Sequence, residues 1–202
     1  MNEGLIGVQS NKSVYIGCDH TNIADNNGRK SVRLQSKAVY SYGLFILSLT
    51  HMPHGCGTWP AYWFVGPSWP NNGEIDVIEG VDNQVYDQMT LHTSNGCDFK
   101  NIPQNFTGSW STGSNGQPAT NCYVNAAGEY SNQGCGIKSA SSTSYGSGLN
   151  NKNGGVYATQ WTDAGIFIYF WNTGDVPANV YSNNPDPTTW GKPAAGWPFG
   201  SW

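Results

Sequence analysis

Apolar and polar residues alternate with a period of two along several short runs of the chain, and Gly, Asn, Asp and Pro punctuate the gaps between them. The runs span residues 31–36, 42–49, 58–64, 74–79 and 88–93. Each reads as a strand with one buried face, because successive side chains of a strand point to opposite sides. Two further runs, 156–161 and 165–171, flank the turn Thr162-Asp163-Ala164 and read as a hairpin. Residues 95–154 are rich in Gly, Ser, Asn and Cys and read as long loops pinned by disulfides. The last thirty residues carry Pro177, Pro185, Pro187, Pro193 and Pro198 and show no strand pattern. The pattern predicts an all-β sandwich in which residues 1–202 form a single domain.

Composition agrees with short strands joined by turns. Charged residues make up 11% of the 202, against about 25% in an ordinary soluble domain, while Gly reaches 26 and aromatics 13%. The net charge is -4 and the nine Lys and Arg are scattered, which argues against a nucleic-acid partner. No apolar run approaches the roughly 18 residues of a membrane span. The five cysteines, Cys18, Cys56, Cys97, Cys122 and Cys135, lack the paired spacing of a zinc site and point to disulfides. Asn11-Lys12-Ser13 and Asn105-Phe106-Thr107 are glycosylation sequons, so the chain is expected to be extracellular. Its opening Met1-Asn2-Glu3-Gly4 shows no signal-peptide pattern.

Chemistry concentrates in Glu74-Ile75-Asp76-Val77-Ile78-Glu79. Glu74 and Asp76 share one strand face, and Ile75 and Val77 share the other. Glu79 falls on the apolar side of a regular strand, where a carboxylate is costly; one bulged residue restores it to the acidic face. The outer Cα atoms then lie on the order of 15 Å apart, and side chains leaning inward leave roughly 5 Å between the carboxyls. That gap suits a retaining glycosidase, with one carboxylate as nucleophile and the other as general acid/base. Asp76 between them disfavours ionisation nearby and spreads the pKa values, as acid/base work requires. A solvated acidic face or a calcium site would tolerate the same three acids.

Gly73-Glu74-Ile75-Asp76-Val77-Ile78-Glu79-Gly80 resembles the bulged Glu-x-Asp-x-x-Glu signature of glycoside hydrolase family 16. Residues 52–63, from Met52-Pro53-His54-Gly55 to Tyr62-Trp63, and Met89-Thr90-Leu91-His92-Thr93 look like its fungal laminarinase-type members; residues 28–34 and Ser144-Tyr145-Gly146 also fit. The resemblance implies a concanavalin A-like β-jelly-roll of two curved antiparallel sheets with an open concave cleft. It implies internal cleavage of β-1,3 or mixed β-1,3/1,4-glucan, with no cofactor and no metal, by a chain expected to act as a monomer. Glu74 becomes the nucleophile, Asp76 its partner and Glu79 the general acid/base. Trp59, Trp63, His92 and Arg33 become candidate substrate-binding residues, with core packing the rival role for the tryptophans and a structural ion pair for Arg33. The family's domain has further strands ahead of residue 1 and a closing core strand, so the resemblance implies a catalytic domain incomplete at both ends. A transglycosylase would use the same acids, and a non-catalytic β-glucan-binding protein would keep the cleft but ordinarily lose one glutamate.

Overall fold

The computed structural model describes residues 4–200. Strands β1 (Ile6–Val8) and β2 (Val14–Ile16) form an antiparallel ribbon. Two larger antiparallel sheets follow. One has four strands in the order β11 (Ala195–Pro198), β10 (Gly165–Asn172), β9 (Gly155–Thr162) and β3 (Gly43–Leu49). The other has five, in the order β4 (Tyr62–Val65), β5 (Glu74–Ile78), β6 (Gln88–His92), β8 (Ile137–Lys138) and β7 (Ser109–Trp110). One short helix, α1 (Gly146–Asn150), precedes β9.

Alternation dictates which residues meet between the sheets. Ile75, Ile78, Met89, Leu91 and Ile137 of the five-stranded sheet pack with Tyr157, Ile166, Ile168 and Trp197 of the four-stranded one in a single buried cluster. Each such side chain, fully buried, contributes on the order of 1.5–3 kcal/mol. The opposite face of the four-stranded sheet is apolar too. Val156, Ala158 and Tyr169 there are covered by Val180 and Trp190 of the segment after β10, with Trp190 meeting Tyr169 and Trp171 edge-on. The covered side of the five-stranded sheet thus leaves its other face, carrying Glu74, Asp76 and His92, free to form a site.

The observed elements correct three readings of the sequence. Residues 31–36 form no strand; only Ser31 makes an isolated bridge, to Cys18, because no sheet edge runs alongside to receive Val32 and Leu34. The run 58–64 is a strand only from Tyr62, since the chain turns at Gly55 to Thr58 before extending. The proline-rich end does hold a strand, β11, which pairs with β10 and buries Trp197 completely; its two prolines sit at or beyond its ends, where a missing N–H is tolerated.

Residues 95–154 are loop-rich, yet Phe99, Phe106, Ile137, Tyr145 and Leu149 are buried in the main cluster. Cys122 and Cys135 are bonded, and Cys18, Cys56 and Cys97 are free. Closing a loop over a separation of 13 residues is expected to contribute about 3 kcal/mol by restricting the unfolded chain. Urea unfolding of the oxidised and reduced protein measures it: the reduced form should show a lower midpoint, with a slope equal or steeper because the uncrosslinked unfolded chain exposes more surface, and equal midpoints would mean that packing alone holds the loop.

Candidate active site

The acidic strand is bulged. On one side β5 pairs with β6 in regular register, Glu74 opposite His92 and Asp76 opposite Thr90. On the other, Trp63 faces Asp76 and Tyr62 faces Ile78, so Val77 is the extra residue. Val77 and Ile78 are consequently both buried, and the alternation resumes with Glu79 on the same face as Glu74 and Asp76. Gly80 then has no room for a side chain, because a Cβ there would lie 2.7 Å from the Tyr145 ring. The Tyr145 hydroxyl donates to the Gly80 carbonyl at 2.5 Å and lies 2.9 Å from that of Pro60, fixing the exit from the strand.

Three carboxyls and an imidazole converge. His92 Nε2 lies 3.2 Å from Asp76 Oδ2, an ionic contact whose alignment falls short of a hydrogen bond. One donor atom each from Asp76, Glu79 and His92 falls within 4.8 Å of the others, and Glu74 hydrogen-bonds Asp76. Asp76 therefore bridges the two glutamates. The three could geometrically hold a cation, although acidic groupings are common without one. Behind His92, Gly134 lets the chain pass close: a Cβ would come 2.8 Å from Nδ1.

Environment separates the glutamates. Burial, reinforced by the Asp76 charge, pushes Glu79 up to about 7, although His92 and an N–H from Trp59 oppose the shift. Glu74 is also raised, chiefly by burial and by Asp76, while His92 and Trp69 hold it back. Burial pulls His92 down, but Asp76, Glu74 and Glu79 together outweigh it and its pKa rises. Near neutral pH the face can thus present a protonated Glu79, the proton donor that acid/base catalysis needs.

Both tryptophans named in the sequence lie by the acidic strand and outside the main buried cluster. Trp59 is 64% exposed and bonded to Glu79, which excludes core packing. Trp63 shares the acidic face through its pairing with Asp76, and Arg33 lies over its ring at 4.5 Å. Arg33 therefore stacks on an aromatic; no carboxylate pairs with it among the described residues, contrary to the ion-pair reading. Two neighbours escaped the sequence reading. Trp69, which precedes Pro70 across a cis peptide bond, donates its indole N–H to Glu74 Oε2 at 2.5 Å. Asp87, fully buried, accepts the Glu79 N–H through Oδ1 at 2.9 Å.

A family model described as the XgeA-like, catalytic GH16 domain matches residues 1–201. The chain belongs to glycoside hydrolase family 16. This family 16 chain is 47% identical over 197 residues to an endo-1,3(4)-beta-glucanase of Arthroderma benhamiae, covering 96% of the chain and 41% of that protein. It is 41% identical to a probable glycosidase of Schizosaccharomyces pombe, covering 96% of the chain and 44% of the relative. The chain thus spans less than half the length of these curated relatives. Among solved structures it is similar to an elongating GH family 16 beta-1,3-glucosyltransferase, with a TM-score of 0.85 and 40% identity over 98% of this chain and 63% of that one. Laminarinase 16A of Phanerochaete chrysosporium, solved with beta-glucans in donor and acceptor sites, gives 0.77 and 37% over 90% and 59%. The family 16 jelly-roll accounts for the two facing antiparallel sheets.

The raised Glu79 has a stability cost whose sign is fixed. Below its ordinary value of 4.5 both folded and unfolded chains hold the proton; between there and about 7 only the folded chain does, so stability falls as pH rises through this window. Glu79→Gln is expected to raise the melting temperature at neutral and alkaline pH, with the gain vanishing in acid. Thermal unfolding followed by circular dichroism across pH tests this, and a pH-independent difference would contradict it.

Proposed function

We propose that this chain is a retaining endo-glycosidase that hydrolyses internal β-1,3 and mixed β-1,3/1,4 bonds of glucans by double displacement. The observation that carries the reading is the bulge at Val77, which brings Glu74 and Glu79 to one face with Asp76 between them. Glu74, held by Trp69, attacks the anomeric carbon. Glu79 protonates the leaving oxygen and then, as a base, draws a proton from the water that releases the glycosyl-enzyme. Asp76 orients Glu74 and shares charge with His92. No cofactor enters this sequence of steps. Trp59 and Trp63 present indole faces suited to the C–H face of a sugar, and His92 completes the polar side of the subsite at the reacting bond. Arg33 serves by holding Trp63. The names of the relatives support β-glucan as substrate, and the sequons and disulfide support an extracellular setting for a single catalytic domain acting as a monomer.

Transglycosylation is the second reading, favoured by the similarity to the elongating glucosyltransferase. There a sugar hydroxyl replaces water in the second step, with the same residues in the same roles. A β-glucan-binding protein without catalysis would have no need of a glutamate held protonated to about pH 7 beside a second one.

Reducing-sugar release from laminarin and from mixed-linkage glucan separates these readings when product length is followed. Hydrolysis predicts shorter oligosaccharides, transfer predicts longer ones, and binding alone predicts neither. Glu79→Gln should lower kcat by roughly 10²- to 10⁴-fold. The profile of kcat/KM should fall on the alkaline side near pH 7, where Glu79 loses its proton, and on the acid side at a pH above 4.5, where Glu74 gains one. Unchanged products from Glu74→Gln would sink the assignment.

A further inference from the structure

Beneath the acid/base glutamate lies a second carboxyl that none of the steps above uses. Met89 and Leu91 of β6 face the core, and the same alternation sends Asp87 inward. Its Oδ1 accepts the Glu79 N–H at 2.9 Å, while the Gln88 N–H donates to the Glu79 carbonyl at 3.1 Å and lies close enough to the Asp87 carboxyl to favour its charge. Its own N–H donates to Ser144 Oγ at 2.8 Å, Ser144 Oγ donates to the Ser141 carbonyl at 2.8 Å, and the Asp87 carbonyl accepts from Ser139 N–H at 2.8 Å. The hydroxyls of Tyr145 and Tyr157 are committed to the carbonyls of Gly80 and Ser144. Asp87 Oδ2 is left buried without a hydrogen-bond partner, and among the described residues no cation pairs with it.

Resting on the assignment of Glu79 as general acid/base, we propose that Asp87 is its positioning residue and works as a neutral carboxylic acid, clamping the Glu79 N–H where the bulge has interrupted the strand ladder. The regular register between β5 and β6 ends at Asp76 and Thr90; beyond it the Glu79 carbonyl still accepts the Gln88 N–H at 3.1 Å, but the Glu79 N–H goes to the Asp87 side chain and not to a backbone carbonyl of β6. The Asp87 side chain supplies the acceptor that a β6 carbonyl would otherwise provide, and so sets the direction in which the Glu79 side chain leaves the strand. An ionised Asp87 would face Glu79, Asp76, Tyr145 and Tyr157, none of which offers positive charge. A buried, uncompensated carboxylate costs several kcal/mol, whereas the neutral acid keeps the lone pair that Glu79 needs. Burial correspondingly drives the Asp87 carboxyl well above the usual carboxylate range. Neutrality also spares Glu79 a further negative neighbour, which would push its proton affinity past the working range.

Steady-state kinetics on laminarin with Asp87→Asn and Asp87→Ala, across acid to alkaline pH, test both halves of the proposal. Asp87→Asn, an isostere of the neutral acid, should keep wild-type kcat and leave the alkaline limb in place. Asp87→Ala should lower kcat by about 100-fold with KM nearly unchanged, since misplacing a catalytic group has that scale of effect. An alkaline limb moved to lower pH in Asp87→Asn would show that a charge had been removed, and would overturn neutrality. Wild-type kcat in Asp87→Ala would overturn positioning. Glu79→Gln run alongside keeps the failures apart: if it remains fully active, the role of Glu79 itself falls, and if it is inactive beside an unimpaired Asp87→Ala, only the Asp87 proposal falls. Should Asp87→Ala not fold, infrared spectroscopy decides without catalysis. At alkaline pH, where Glu79 has lost its proton, a protonated carboxyl band should be present in the wild type and absent from Asp87→Asn, and its absence from the wild type contradicts the proposal.

Discussion

One extra residue in one strand carries this site. Were Val77 not bulged, the period-two rule would bury Glu79 beside Ile75 and Val77 and turn Ile78 outward, leaving only Glu74 and Asp76 as acids on the other face. With it, the strand satisfies two demands at once: two consecutive apolar side chains enter the core, and three acids share the opposite face. The rest of the sandwich supports that local irregularity. The four-stranded sheet supplies the apolar wall into which Val77 and Ile78 press, and Tyr145 clamps Gly80 so that the strand leaves in one direction.

Charge sets the second constraint. Three carboxyls in close contact destabilise each other, and the fold answers with single compensations at different points: His92 against Asp76, Trp69 on Glu74 and Trp59 on Glu79. None of these neutralises the cluster fully. The residual repulsion, together with burial, is what keeps a proton on Glu79 near neutral pH, so the strain and the chemistry have the same origin.

Much of this was legible in the sequence, because alternation is a direct consequence of strand geometry. Strands β3, β5, β6, β9 and β10 are long enough for the period to show, and the parity break at Glu79 announced the bulge. The same logic failed where a run had no neighbour to pair with, as at residues 31–36, or where a strand was too short, as in β7 and β8. Strand β11 was hidden by flanking prolines. Trp69 was missed because its contact with Glu74 depends on how the loop between β4 and β5 folds back. Asp87 carried the same signal as Glu79, an acid at core parity on a strand, and could have been found by it. Free Cys97 shows the limit of cysteine counting, which predicts disulfides but not which residues make them.

Placed in family 16, the chain shares its fold with proteins named for hydrolysis and for glucosyl transfer, and both chemistries begin with the same attack by a carboxylate on the face opposite the leaving group. On the proposed mechanism the bulge matters because it turns Glu79 to the face that carries Glu74 and Asp76. The most direct test is the anomeric configuration of the first product released from a β-glucan, followed by proton NMR before mutarotation. The account predicts the β-anomer, with configuration retained through two inversions. The α-anomer would mean a single inversion by water, and would contradict the pairing of Glu74 and Glu79 as nucleophile and acid across one bond.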